Sequence, residues 1–304
     1  MLKCYTITSG RLAEVDASGG QIFVYVNPDE AERRLLVDTW KIDEHTLASA
    51  LDPDELPRLE FEPEHVAMIL KRPKSYNSQD ELLFRVASTG LFLFRDRLVI
   101  VLNEDVPLFE GRQFQRVASL QEVVLKVLYR SVFHFIEHLK VINAISDSLE
   151  QQINTAMENK YLFSLFTLEK SLVYYLNAIN ANAKLIEKLR NNASKLGFTP
   201  ENLEFIDDLI VDNSQCYDQA EIYSNILSSM MDARASIVSN NLNVLMKTLT
   251  LITISIMLPT LVVSVFSMNV HIPLEAHPLA FWLILAFAGV SVATVMFLWW
   301  YKKL

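Results

Sequence analysis

The side chains whose types and spacing can do chemistry are concentrated near the C-terminal end of this 304-residue chain. Asn243, Met246, Leu249 or Thr250, Thr253, Met257, Thr260 and Ser264 advance by three or four, which sets them on one face of a helix. The residues between them are mostly Leu, Ile and Val. Polar groups in so apolar a setting turn toward protein or water, because lipid offers them no partner. Two arrangements account for the stripe. It lines a water-filled passage, or its hydroxyls bond back to their own helix and the face packs against a second helix. Periodicity alone does not choose between them.

Other constellations are weaker. His134-Phe135-Ile136-Glu137-His138 matches the H-x-x-E-H pattern of a zinc protease, with both histidines one turn apart. The string is short, however, and no third ligand is identifiable. His271, Glu275 and His277 lie close together in sequence and suit soft divalent ions. Asp207, Asp208 and Asp212 form an acidic group whose plainest role is a solvated surface. Seven glycines leave little room for a phosphate-cradling loop, and no Ser/His/Asp nucleophile is recognisable. Cys4 and Cys216 are the only cysteines, which excludes a disulfide framework or a cysteine zinc cluster.

The elements that must position the stripe follow from charge and hydropathy. Mean hydropathy is +0.21, high for a soluble protein of this size. No Asp, Glu, Lys or Arg occurs from Thr248 to Leu274, nor from Pro278 to Tyr301. Each run exceeds the ~20 apolar residues that cross a bilayer core. From residue 243 onward Lys247, Lys302 and Lys303 against Glu275 leave +2, so the preceding residues carry −11 of the net −9. An acidic soluble part argues against nucleic acid and anionic lipid as partners and is compatible with handling cations. The N-terminus lacks the apolar core of a signal peptide. Basic residues at both outer flanks of the two spans, with none between, place both termini in the cytoplasm.

Ahead of the spans, residues 1–118 read as a cytoplasmic α/β domain, with β-rich runs at Leu2–Ile7, Gln21–Val26, Val66–Leu70, Leu82–Val86, Leu91–Phe94 and Leu98–Leu102. Residues 119–198 read as antiparallel long helices. Thr199-Pro200-Glu201 supplies a cap, a first-turn proline and an acid for a third helix. With no strong breaker before Pro259, that helix runs over 199–269 as a stalk continuing into the first span, or kinks near Ser239-Asn240-Asn241. An extracytoplasmic loop over 270–278, a second span over 279–301 and a basic tail over 302–304 complete the chain. The fold class is an α+β membrane protein. One stripe on one helix cannot enclose water, so a pore would need a ring of identical subunits.

The string Ser239-Asn240-Asn241-Leu242-Asn243-Val244-Leu245-Met246-Lys247-Thr248-Leu249-Thr250, followed by Phe266-Ser267-Met268-Asn269, closely resembles the CorA family of divalent-cation channels. The family's closing Gly-Met-Asn is Ser267-Met268-Asn269 here, and the spacing from Asn243 to Asn269 fits without a gap. Asp232, the run Phe198–Glu204, and more loosely Asp52-Pro53-Asp54-Glu55-Leu56-Pro57-Arg58 with Arg72-Pro73-Lys74 also look like the family. The zinc-transporting ZntB branch keeps the glycine and varies the Met, so Ser267 does not assign the chain to it.

The resemblance implies a funnel-shaped homopentamer in the cell's inner membrane. Ser267, Met268 and Asn269 form the outer selectivity ring. Asn243, Met246, Leu249, Thr253, Met257, Thr260 and Ser264 line the pore, with apolar constrictions at Met246, Leu249 and Met257. Asp208, with Asp52 as its candidate partner, forms an intersubunit regulatory metal site. Glu275 attracts cations at the outer loop, and Lys302 and Lys303 ring the cytoplasmic mouth. The implied activity is conduction of hydrated Mg2+, with Co2+ and Ni2+ as further cargo, gated by intracellular divalent cation. It needs no organic cofactor, no organic substrate and no enzyme chemistry. The alternatives are a Zn2+ or transition-metal transporter on the same fold, and a non-conducting membrane-tethered metal sensor.

Overall fold

The computed structural model describes residues 1–16, 19–76, 82–155, 159–268 and 277–302. The chain divides into two units, Met1–Met231 and Asp232–Leu304.

In the first unit seven strands form one mixed sheet: β1 (Leu2–Thr8), β2 (Arg11–Val15), β3 (Ile22–Val26), β4 (Arg58–Phe61), β5 (Val66–Pro73), β6 (Val86–Leu93) and β7 (Leu98–Leu102). Their order is β2-β1-β3-β7-β6-β5-β4, with only the β3–β7 pair parallel. Because side chains alternate along a strand, each central strand feeds two cores. Phe23, Tyr25, Ile69, Phe92, Val99 and Val101 face helices α1 (Glu30–Asp38) and α2 (Glu44–Leu51). Val24, Met68, Leu70, Leu91 and Ile100 face the long helices α3 (Leu120–Thr155) and α4 (Asn159–Asn191). With both faces covered, β3 and β7 are buried throughout, which explains their unbroken apolar runs.

Two strand expectations change, and two strands are found where none was expected. Leu82–Val86 is not a strand of its own: β6 starts at Val86 and takes in the Leu91–Phe94 run as far as Leu93. Strands β2 and β4 lie at the sheet edges with polar sequences (Arg11-Leu-Ala-Glu-Val15, Arg58-Leu-Glu-Phe61) that alternation alone did not mark. Gly90 is needed where α2 lies against β6, since a Cβ there would stand 2.5 Å from that of Ala50.

The short helix α5 (Ala193–Leu196) ends at Gly197, whose φ of +67° is the left-handed conformation that favours glycine. Thr199 then caps α6 (Pro200–Phe266), its Oγ1 accepting from the Asn202 N–H at 3.3 Å. In the first unit α6 buries Ile206, Leu209, Cys216, Ala220 and Leu227 in the core shared with α3 and α4. Helix α6 has no break at Ser239–Asn241 and passes through Pro259 without ending.

The second unit holds the C-terminal part of α6 and helix α7 (Ala280–Lys302). Both contain segments long and apolar enough to span a membrane.

Candidate pore-lining face

Half-buried residues on the membrane part of α6 mark one side of it: Leu251, Ser255, Leu258, Pro259, Val262 and Phe266. Helix α7 has a matching stripe of covered, mostly small residues at Ala280, Ile284, Ala288, Ser291, Val292 and Val295. These stripes are the covered faces of the two helices that make up the unit. At about 100° per residue, Leu249, Thr253, Met257, Thr260 and Ser264 lie half a turn away from the covered side of α6. All five are exposed, as are Asn243, Met246, Ser267 and Met268. Met246, Leu249 and Met257 are 63%, 60% and 63% exposed, so the stripe lies on the uncovered side of the helix.

The other half of the packing alternative does hold. Thr250, Thr253 and Thr260 donate their hydroxyls to the carbonyls of Met246, Leu249 and Ile256 at 2.7–2.9 Å. Ser267 Oγ donates to Ser264 O at 3.0 Å. Each hydroxyl proton is thus used within the helix. That leaves the oxygens of these four hydroxyls as acceptors. Asn269, His271, Glu275 and Lys303 lie outside the described residues, and Lys302 closes α7.

In the first unit Asp208 is exposed on α6, and its neighbour Asp207 is paired with Arg190 at 2.5 Å. Asp52 caps the C-terminal end of α2, where its Oδ1 accepts from the Asp54 N–H at 2.9 Å. Its side chain is exposed. Among the described residues no three His, Cys, Asp or Glu side chains come together in a group able to hold a metal ion.

Arg72, quoted above with Pro73 and Lys74, is buried and spent on the fold. It pairs with Glu104 at 2.6 Å and donates to Thr89 Oγ1, Asn103 Oδ1 and Pro73 O. The H-x-x-E-H string does not converge on a site either. His138 Nδ1 lies 2.6 Å from Tyr175 Oη, and Glu137 pairs with Arg130 at 3.3 Å. Burial pushes His134 down to about 3, helped by His138, Arg130 and Arg72, and pushes His138 down to about 4. Both imidazoles are neutral parts of the core side of α3.

A family model described as CorA-like Mg2+ transporter protein matches residues 18–303. The chain belongs to the CorA family. It is therefore a membrane transporter rather than an enzyme. Among curated relatives, the cobalt/magnesium transport protein CorA of Methanocaldococcus jannaschii is 23% identical over 285 residues, covering 90% of this chain and 87% of that protein. The complete structure of the CorA magnesium transporter from M. jannaschii superposes with a TM-score of 0.81 at 21% identity, over 98% of this chain and 96% of the other. The ZntB cytoplasmic domain from Vibrio parahaemolyticus gives 0.62 at 12% identity, over 78% of this chain and 98% of the other. The likeness to the complete CorA structure establishes the fold: an N-terminal α/β domain, a long helix and two apolar C-terminal helices.

Two buried polar groups carry no spacing signal in the sequence: Lys71, bonded to the Pro53 carbonyl, and Asn182 of α4, bonded to the Lys71 main chain from the other sheet face.

Proposed function

We propose that five copies of this chain form a channel whose α6 helices line the pore and whose α7 helices surround them. It conducts hydrated Mg2+ into the cytoplasm, with Co2+ and Ni2+ as further cargo. The observation that carries this reading is the opposition of two faces on α6. The polar and thioether stripe is exposed while the reverse side is covered, so the stripe needs either water or more copies of itself. One such face per chain encloses water only in a ring.

Asn269 would meet the ion at the outer mouth, with Ser267 and Met268 shaping that ring. Magnesium sheds its water reluctantly, and neutral amides hydrogen-bond its water shell without stripping it. Met246, Leu249 and Met257 would close the passage by dewetting, and Asn243 would line its inner end. Inward flux needs no nucleotide, since two charges crossing 100 mV release roughly 4.6 kcal/mol. Glu275 would concentrate cations outside. Lys302 and Lys303, with both termini, would face the cytoplasm of a cell whose inner membrane holds the protein.

Closure is assigned to cytoplasmic Mg2+ bound between subunits by Asp208 and Asp52. Carboxylate oxygens suit this ion, both side chains are exposed, and no single chain supplies a full ligand set among its described residues. Loss of the ion would free the ring to open.

The test is Mg2+ entry into proteoliposomes at an inside-negative potential, native chain against Asn269→Ala, with Zn2+ and Co2+ in parallel. Mg2+ entry abolished by the substitution is the expected result. Zn2+ entry without Mg2+, or no flux of any ion from assembled pentamers freed of metal, refutes it.

A further inference from the structure

Lys71 joins three elements that sequence spacing does not connect. Its backbone lies beyond the end of β4, and the open edge of β5 is completed by a side chain. Asn182 of α4 accepts from the Lys71 N–H at 2.9 Å and donates to its carbonyl at 2.7 Å, and Ser131 of α3 donates to the same carbonyl at 2.6 Å. The main chain at this point is therefore fixed by the long helices. The side chain leaves on the other face of the sheet, where α2 lies. Lys71 Nζ donates to the carbonyl of Pro53 at 2.5 Å and to Ser88 Oγ, its cross-strand partner, at 2.9 Å. Ser88 Oγ donates onward to the carbonyl of Asp52.

Lys71 and Ser88 are 5% and 0% exposed. A buried ammonium at a helix C-terminus satisfies carbonyls that the helix leaves open and complements its negative end. Here that end is the C-cap Asp52 itself. The Asp52 carbonyl is held by Ser88 and the Pro53 carbonyl by Lys71, and the Asp52 carboxylate accepts from the Asp54 N–H. Glu55 is drawn aside by Arg58 at 2.5 Å and Ser49 at 3.1 Å.

We infer that Lys71 is a positioning residue for cation-dependent closure. Acting through Ser88 and the Asp52 and Pro53 carbonyls, it fixes where the Asp52 carboxylate stands, and it ties that position to α3 and α4. The inference rests on the reading of Asp52 as a regulatory ligand. Lys71 itself does not touch the ion. Loss of an outer-shell partner of this kind typically weakens metal binding by about 10–100-fold.

The experiment titrates Mg2+ against the detergent-purified full-length protein and reads protection from protease. Asp52→Asn, Lys71→Met, Ser88→Ala and the Asp52→Asn/Lys71→Met pair are compared with the native chain. Asp52→Asn is expected to raise the Mg2+ midpoint. Lys71→Met is expected to raise it by about tenfold or more, Ser88→Ala in the same direction by less, and the double variant no further than Asp52→Asn alone.

A shifted midpoint in Asp52→Asn, with Lys71→Met and Ser88→Ala lowering only the metal-free melting temperature, overturns the inference and leaves the Asp52 reading standing. A lowered midpoint in Lys71→Met, the signature of a merely repelling charge, overturns it as well. So do additive effects in the double variant. An unmoved midpoint in Asp52→Asn removes the reading and the inference together. If Lys71→Met does not fold, Ser88→Ala decides, and an unmoved midpoint there is a refutation.

Discussion

Thr260 and Val262 lie two residues apart in the middle of the first span, so they share nearly the same depth and face opposite ways, about 200° apart around α6. Thr260 is exposed on the stripe and Val262 is half-buried on the covered side. A lysine at the bilayer centre costs about 2.5–3.5 kcal/mol by insertion scales when it meets lipid or packed protein, and far less where it meets water. Thr260→Lys gives up only a hydroxyl bond to the carbonyl of Ile256. Val262→Lys forces a charge onto the covered side of the helix. At 1.4 kcal/mol per tenfold, the expected difference is on the order of a hundredfold in assembled protein. The assay is the yield of membrane-extracted oligomer on native gels, together with Mg2+ flux in liposomes. Thr260→Lys is expected to assemble near the native level and to pass no Mg2+, because a ring of ammonium groups repels the ion. Val262→Lys is expected not to assemble. Equal losses of assembly in the two variants, or a greater loss in Thr260→Lys, would refute a water-lined stripe.

Two further outcomes concern the first unit. Asn182→Ala strips the buried Lys71 N–H of its acceptor, whereas Ser131→Ala leaves the Lys71 carbonyl with Asn182. The first should cost about 2–4 kcal/mol and the second about 1. Thermal unfolding would show a fall of roughly 5–15 °C for Asn182→Ala, and hydrogen exchange would show a fast amide at Lys71; equal losses in the two variants contradict the accounting. His134 and His138 are held neutral with values of about 3 and about 4 against about 6.5 unfolded. The unfolded chain takes up protons first, so their contribution to stability is complete above pH 6.5 and is lost as pH falls toward those values. His138→Gln should flatten the fall in melting temperature between pH 6.5 and 4, and an unchanged slope contradicts it.

The membrane part was legible in advance because its signals are local. Two uncharged runs, their flanking lysines and the three-and-four spacing of the stripe need only neighbouring residues, as does the Thr199–Pro200 start of α6. The two polar edge strands were not legible. Each is the outer arm of a hairpin with its chain neighbour, β1 or β5, and no position of either strand is buried, so neither has a buried face for alternation to mark. The Leu82–Val86 run is β-rich in composition, yet Phe84 is held by Ser171 of α4 and the strand begins only at Val86.

By itself, the sequence determined that two helices cross a membrane, that one carries a polar stripe, and which family motif closes it. Helical periodicity relates residues to one axis and says nothing about what lies on each side of that axis. Only the tertiary structure decided that the stripe is the exposed side of α6 and that the opposite side is covered, since cover depends on packing beyond the helix itself. It likewise turned H-x-x-E-H into core packing by placing Tyr175 and Arg130 against it. The tie from Lys71 to the Asp52 loop joins residues that are distant in sequence, and only the pairing of β5 with β6 under the end of α2 brings them together.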